Sequence, residues 1–348
     1  MEKKIRVLII DDSALMREAL RAILTSDEKV EVVGLAKNGQ EGLEKAKILK
    51  PDVITIDINM PVMNGLEATQ LIMSEVPTSI IVVSGMDPKV VVKALAIGAM
   101  DFVVVSDNIE EISASLIEKV TIASRVRPMR LMRQAAVSAK VLELKKTVSF
   151  QGERRVDDKA LSRVVAIGIS TGGPQALHVL LSQLPKDFPA GILIVQHMSA
   201  GFIQGLAEWL QQICPLTIKV PGSGDVLRNG YVYLAPDNVH MTITPEGVIE
   251  LREETEKKVF LVPSADVLFK SVAESYGTRA IGLLMTGMGH DGVEGMKQIK
   301  RCGGQALAQD EASSVVFGMN KSAIDCQCVD KVLALEKIGQ ELINLVSA

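Results

Sequence analysis

Cysteine is scarce. Four residues, Cys214, Cys302, Cys326 and Cys328, are scattered over 348 positions, too few for a disulfide framework in a chain this long. The pair Cys326-x-Cys328 lacks the second ligand pair of a zinc site, so all four are expected to be reduced packing residues. Long apolar runs are also missing: none approaches the roughly 18 residues of a membrane helix, and membrane insertion is not expected. The first run, Ile5–Ile10, stops at Asp11-Asp12 and is too short for the core of an export signal, which makes the cytoplasm the expected compartment. Nor is one sign of charge in excess. With 38 Lys+Arg against 42 Asp+Glu the net charge is −4 and the pI near 5.7, so nothing in the total favours nucleic acid as a partner. No internal repeat of solenoid period is found. What remains is 47% hydrophobic and 23% charged, with mean hydropathy +0.25, which excludes a disordered or fibrous chain. At 348 residues it exceeds one ordinary core, and two domains are expected.

The charge is distributed unevenly. Residues 1–124 hold 13 basic and 19 acidic side chains, residues 125–163 hold 11 and 4, and residues 164–348 hold 14 and 19. This describes two acidic domains, 1–124 and 164–348, joined by a basic linker, 125–163. Between Arg125 and Arg163 there is no sustained apolar periodicity, as in a solvated tether, and that reading is preferred to a nucleic-acid or acidic-membrane site.

In the first domain short β-branched runs alternate with amphipathic helical stretches. Ile5–Ile10, Glu31–Ala36, Val53–Asp57, Ile80–Val83 and Phe102–Val105 read as strands, each followed by a helix. Five βα units imply a doubly wound parallel sheet with function at the carboxyl ends of its strands. The second domain repeats the style with Val164–Ile169, Gly191–Gln196, Thr217–Val220, Ala280–Met285 and Gln305–Ala308. Tyr231–Ala235, His240–Thr244 and Val248–Leu251 are closely spaced around turn signals and are expected to form an antiparallel extension. The fold class is α/β throughout.

Strand one ends in Asp11-Asp12 and strand three in Asp57, so three carboxylates converge where a parallel sheet has its crevice. Their mutual repulsion favours a divalent cation, and oxygen ligands with room for water suit Mg²⁺, which would position a phosphoryl group for attack by a carboxylate. The alternative is that Asp11 and Asp12 cap the following helix. The stretches Ile9-Ile10-Asp11-Asp12-Ser13, Asp57 with Met60-Pro61-Val62-Met63-Asn64-Gly65, Ser84, and Gly98-Ala99-Met100-Asp101-Phe102 together resemble a response-regulator receiver domain over nearly all of residues 4–124. The resemblance implies a flavodoxin-like fold in which Asp57 accepts the phosphoryl group, Asp11 and Asp12 join it in holding Mg²⁺, Ser84 bonds the new oxygens and Phe102 is the switch aromatic. One departure stands out: the family's lysine-proline, three residues beyond that aromatic, is replaced by Val105-Ser106.

In the second domain Val164–Ile169 runs straight into Ser170-Thr171-Gly172-Gly173-Pro174, and Gly168-Ile169-Ser170-Thr171-Gly172 fits the Gly-x-Ser-x-Gly nucleophile elbow. A helix-start anion cradle and a plain helix cap are the competing readings of the same residues. A serine nucleophile needs a base and an orienting acid. Of four histidines, His178 lies inside the next helix, His240 follows a turn and His290 sits in a glycine-rich loop, whereas His197 directly follows an apolar strand. Asp291, in Thr286-Gly287-Met288-Gly289-His290-Asp291-Gly292 after strand Ala280–Met285, is the best acid, and its loop offers backbone N–H donors. N–H groups near Met288 and the helix start at Thr171 are the oxyanion candidates. Gln309, Asp310 and Glu311 are read as structural.

The order serine, histidine, acid differs from that of α/β-hydrolases. The motifs Ile167-Gly168-Ile169-Ser170-Thr171-Gly172-Gly173-Pro174, Gln196-His197-Met198, the loop 286–292 and Ala308-Gln309-Asp310-Glu311-Ala312-Ser313 resemble instead the catalytic domain of the chemotaxis protein-glutamate methylesterase family, which also carries a receiver in front. Ile169 stands where that family usually has alanine, and Asn320 where it usually has proline. The resemblance implies a Rossmann-like catalytic domain that hydrolyses glutamyl methyl esters, and often deamidates glutamines, on methyl-accepting chemotaxis receptors. It also implies a chemotaxis histidine kinase as phosphoryl donor, recruitment to receptor arrays and no cofactor for the ester chemistry. A response regulator whose second domain only binds a partner, and a hydrolase of small esters, are the competing functions.

Overall fold

The computed structural model describes residues 3–85, 88–105, 108–126, 163–254 and 261–347. The chain divides into two compact units, residues 1–131 and 132–348, and the expected linker lies almost entirely outside the described residues.

The first unit alternates strand and helix without exception: β1 (Ile5–Ile10), α1 (Ala14–Thr25), β2 (Val30–Ala36), α2 (Gly39–Leu49), β3 (Val53–Ile56), α3 (Gly65–Glu75), β4 (Ser79–Ser84), α4 (Pro88–Ala96), β5 (Asp101–Val104) and α5 (Ile109–Ala123). The strands are all parallel in the order 2-1-3-4-5, the flavodoxin-like arrangement. Helix α1 packs against α5, while α2 meets α3 and α3 meets α4, so both faces of the sheet are covered. That coverage is why β3 and β4 are apolar runs buried at every position rather than alternating ones. The cap of α1 is Ser13, whose hydroxyl accepts from the Met16 N–H at 3.3 Å. Asp11 and Asp12 are therefore not the helix cap.

The second unit comprises β6 (Val164–Ile169), α6 (Gly173–Gln183), β7 (Gly191–Gln196), α7 (Ile203–Ile213), β8 (Thr217–Lys219), β9 (Tyr231–Leu234), β10 (His240–Ile243), β11 (Ile249–Arg252), α8 (Ala265–Tyr276), β12 (Ala280–Leu284), α9 (Val293–Arg301), β13 (Gln305–Gln309), α10 (Met319–Asp325), β14 (Lys331–Leu333) and α11 (Leu335–Ser347). Seven strands form one parallel sheet in the order 14-13-12-6-7-9-8. The chain winds outward from β6 through β7, then returns to β12 on the other side of β6, which makes the carboxyl end of β6 a topological switch point. Helices α6, α7 and α11 form one layer and α8, α9 and α10 another.

Two expectations are corrected. Tyr231–Leu234 is not antiparallel: it pairs in parallel with both β7 and β8, and the antiparallel extension is the hairpin of β10 and β11 alone. Cys326 is exposed and is no packing residue, whereas Cys214 and Cys328 are buried and Cys302 lies between; all four are free. The hairpin packs on α8, and Met241, Ile243 and Ile249 join Leu268, Phe269 and Val272 in the core that also holds Val164 and Ala166 of β6. Among the described residues no helix is long and apolar enough to cross a membrane.

Gly168 lets α8 approach the sheet. A Cβ there would stand 2.8 Å from Ala265 Cβ and 2.9 Å from Leu284 Cδ2. Gly168→Ala is expected to cost about 1–3 kcal/mol by overpacking, read as a lower urea midpoint for the second unit in the full chain. At Gly222 the nearest atom to an added Cβ is 4.0 Å away. Gly222→Ala should therefore leave that midpoint unchanged or slightly raised.

Candidate active site

The loops that leave β6, β7 and β12 meet at the switch point. Ser170 is the first residue after β6, and its N–H donates to the Thr286 carbonyl at 3.0 Å. His197 is the first residue after β7, and its N–H donates to the Ile169 carbonyl at 2.9 Å. Ile169 and Gln196 are register partners, so the nucleophile and base candidates leave adjacent strands side by side. One side chain ties the two turns together: the Gln196 amide donates to the Ser170 carbonyl at 3.0 Å and to the His197 carbonyl at 2.8 Å. The cap of α6 is Gly172 (φ 78°), so Ser170 stands ahead of the helix, in the turn, and does not cap it. Its hydroxyl makes no hydrogen bond to another described residue.

Asp291 closes the group. Its Oδ2 lies 2.8 Å from His197 Nε2, and both side chains are about nine-tenths buried. A buried carboxylate is costly unless donors surround it. Here the start of α8 supplies them: the Ser264 hydroxyl donates to Oδ1 at 2.7 Å, the Ala265 N–H to Oδ2 at 2.6 Å and the Asp266 N–H to Oδ1 at 3.1 Å. Burial raises the pKa of Asp291, but the hydrogen bond and charge of His197, with the donors Ser264 and Ala265, outweigh it and hold the group below the usual carboxylate range. Because ionised Asp291 accepts, the proton shared with His197 sits on Nε2, and Nδ1 is left as the basic nitrogen.

The loop between β12 and Asp291 is braced from beneath. Thr286 donates its N–H to Gln309 Oε1 at 2.9 Å and its hydroxyl to the Thr171 carbonyl at 2.9 Å. Gln309 is fully buried beneath the loop. Asn320, the residue that departs from the proline usual in the resembled family, is also buried and donates to the Gln309 carbonyl and the Ser314 hydroxyl, so this departure adds a cross-link beneath the loop. Gly287 lies against Ser170: a Cβ there would come within 2.7 Å of Ser170 Cβ. The next residue, Met288, is half exposed, and its N–H finds no acceptor among the described residues.

Sequence reasoning missed Ser264, Gln196 and Thr286, and it set His240 aside. The N-cap pattern of Ser264 before an apolar helix was readable, but its service to an acid 27 residues away carries no sequence signal.

The first unit gathers its own acids at the carboxyl ends of β1 and β3. Asp57 donates its N–H to the Ile10 carbonyl at 2.9 Å, which sets it beside Asp11. Burial, then the charges of Asp57 and Asp12, push Asp11 up to about 6 against the Ser13 N–H and the Arg17 cation. Carboxylates that repel one another in this way fit a divalent cation. Among the described residues no three His, Cys, Asp or Glu side chains stand close enough to form a metal-holding group, so the expected set of Asp11, Asp12 and Asp57 is not drawn together as one here. Ser84 closes β4 with its hydroxyl buried and unpartnered among the described residues. Phe102 is buried, with Lys119 Nζ 5.2 Å from its ring centroid. Val105 stands at the same strand ends, donating its N–H to the Ser84 carbonyl at 3.3 Å.

Comparison with known proteins agrees with this division. Residues 165–342 match the CheB methylesterase family and residues 7–116 the response regulator receiver domain. Relatives named protein-glutamate methylesterase/protein-glutamine glutaminase include one from Halalkalibacterium halodurans, 41% identical with 99% of each chain covered. Another, from Thermotoga maritima, is 39% identical with 99% of each chain covered, and one from Pyrococcus abyssi is 38% identical over 99% of this chain and 94% of its own. The crystal structure of the Thermotoga maritima CheB methylesterase catalytic domain is 38% identical and superposes with a TM-score of 0.51, covering 53% of this chain and all of that one. With a receiver domain ahead of a methylesterase domain, and full-length relatives at this identity, the chain belongs to the CheB methylesterase family.

Proposed function

We propose that Ser170, His197 and Asp291 are the nucleophile, base and orienting acid with which this chain hydrolyses glutamyl methyl esters, and deamidates glutamines, on methyl-accepting chemotaxis receptors. The observation that carries the reading is the buried 2.8 Å contact between His197 Nε2 and Asp291 Oδ2, beside Ser170 at the switch point. A donor-surrounded acid aimed at a histidine, next to a serine hydroxyl that bonds no described residue, is the arrangement that acyl transfer uses. Ser170 Oγ attacks the side-chain carbonyl carbon while His197 Nδ1 takes its proton; the imidazolium returns that proton to the departing methoxide, releasing methanol, or to the departing amine, releasing ammonia. Water, deprotonated by the same nitrogen, then attacks the acyl-enzyme ester and frees glutamate and Ser170. The Met288 N–H and the positive end of α6 beyond Thr171 are the groups proposed to stabilise the developing oxyanion.

The receiver is the regulatory input of this activity. Asp57 accepts the phosphoryl group from a chemotaxis histidine kinase, with Asp11, Asp12 and Asp57 holding Mg²⁺ and Ser84 meeting the new oxygens. Mg²⁺, when bound, neutralises charge on the transferring group. The protein works in the cytoplasm at receptor arrays, and residues 125–163 tether its two domains.

Release of labelled methanol from methyl-esterified receptor membranes tests the chemistry. Ser170→Ala should lower the rate about a thousandfold or more without unfolding the protein, since it removes one hydroxyl that bonds no described residue. A rate near wild type would remove Ser170 from the mechanism. Asp291→Asn should slow turnover by about 10³–10⁴-fold, because the amide favours the wrong imidazole tautomer, and it also presents an N–H₂ group to the N–H donors of α8. Equal turnover in that variant would place the orienting role elsewhere.

The phosphoryl response has a distinct expectation. Arg17 is engaged with the carbonyls of Asp11 and Asp12, and Lys119 with Asp101 and the Phe102 carbonyl, so a new charge at Asp57 competes with bonds that both cations already make. A charge-assisted hydrogen bond contributes about 1.5–3 kcal/mol. With Val105 in place of lysine, phosphoryl donor should label Asp57 yet raise methanol release only weakly, and Val105→Lys should strengthen the rise. A large activation of the unaltered protein, abolished in Asp57→Ala, would show that a lysine at position 105 is dispensable.

A further inference from the structure

Ser264, which orients Asp291, is itself held from behind. Its N–H donates to Nδ1 of His240 at 3.1 Å, and Nε2 of the same ring lies 2.9 Å from Glu254 Oε2. A backbone N–H can only donate, so Nδ1 is the acceptor and the ring proton sits on Nε2, directed at the Glu254 carboxylate. His240 is buried, at 4% exposure, and Ser264 is equally buried, so the N–H has no water to turn to if the ring is lost. Both members of the pair come from the antiparallel hairpin: His240 opens β10, and Glu254 follows the end of β11 by two residues. A continuous line of contacts therefore runs from Glu254 through His240, Ser264 and Asp291 to His197.

We infer that His240, oriented by Glu254, is a positioning residue for the catalytic acid: it fixes the Ser264 N–H, hence the first turn of α8, hence the donors that aim Asp291 at His197. The carboxylate takes three of its hydrogen bonds from Ser264, Ala265 and Asp266, so a displaced helix start carries the acid with it. An error of about 1 Å in a catalytic group costs on the order of a hundredfold. The inference rests on the catalytic reading of Ser170, His197 and Asp291.

The test is methanol release by the full chain, with kcat and KM separated and folding checked by thermal melting. His240→Leu should lower kcat at least about tenfold with KM within about twofold, as expected of a group that acts through another. His240→Asn, whose side-chain oxygen replaces Nδ1 as acceptor, should return kcat to within about threefold of wild type; His240→Gln, whose amide reaches the Nε2 position instead, should not. In an Asp291→Asn background, His240→Leu should cost no more than about a further twofold, because the group it positions has already lost its function. Wild-type kcat in folded His240→Leu would overturn the inference, and so would a tenfold loss that persists undiminished in Asp291→Asn, which marks a merely structural residue. If His240→Leu does not fold, the contrast between His240→Asn and His240→Gln decides: Asn restored and Gln impaired supports the inference, and equal behaviour overturns it. Ser170→Ala in the same assay keeps the two readings apart, since its full activity would fail the catalytic assignment itself, whereas its inactivity beside a normal His240→Leu would fail this inference alone.

Discussion

The catalytic unit is organised around the problem of keeping one buried carboxylate ionised. Asp291 has lost most of its water, and an isolated charge in such a place would neutralise itself by taking up a proton. It stays charged because the start of α8 turns three donors on it and His197 supplies a fourth. Two of those donors, the N–H groups of Ala265 and Asp266, are ones that a helix start leaves without intrahelical partners, so one arrangement satisfies both the acid and the helix. The relation is reciprocal. Asp266, in the first turn of α8, accepts the Gly295 N–H of α9 at 2.6 Å, while Asp291 stands just ahead of α9. Each helix start is neutralised by an acid belonging to the other, and this locks α8 to α9 where the acid must be held.

The sheet places the other two members at little further cost. Parallel strands present their carboxyl ends on one side, and the reversal of winding at β6 opens a crevice between the loops after β6 and β12. Ser170 and Asp291 come from the two strands flanking that crevice, and His197 from the neighbour of β6 on the other side. The tight contacts of Gly287 on Ser170 and the Gln196 amide across both turns replace what flexible loops would lose in orientation.

Much of this was legible because parallel strands buried on both faces are continuous apolar runs, and because chemistry at strand ends is local in sequence. Ile5–Ile10, Val164–Ile169 and Gly191–Gln196 could be read to the residue, and with them the placement of Asp11, Ser170 and His197. Strand direction is a different matter. Tyr231–Leu234 lies within a few residues of β10, as a meander would, yet its partners are β7 and β8; a short connection does not reveal which edge a strand joins. Lys331–Leu333 passed unnoticed because a three-residue edge strand with exposed side chains has no apolar signature. Ser264 and His240 were hidden for a third reason, since their partners are fixed by helix packing and stand 27 and 24 residues away.

The two units set the same chemical group, an aspartate beyond a parallel strand, in opposite electrostatic surroundings. Asp11 meets burial and two neighbouring acids with a single backbone donor, and its pKa rises to about 6. Asp291 meets burial with a histidine, a hydroxyl and helix N–H groups, and its pKa falls. The first environment is short of positive charge, which suits a site that takes up a cation and a phosphoryl group; the second is complete without any addition, which suits a site that must be ready to orient a base at every turnover. Fold alone does not separate these roles, because both sites sit at the carboxyl edge of a doubly wound sheet. The separation lies in whether the elements around each acid bring donors or further acids, and in the catalytic unit the element that brings the donors is the first turn of α8.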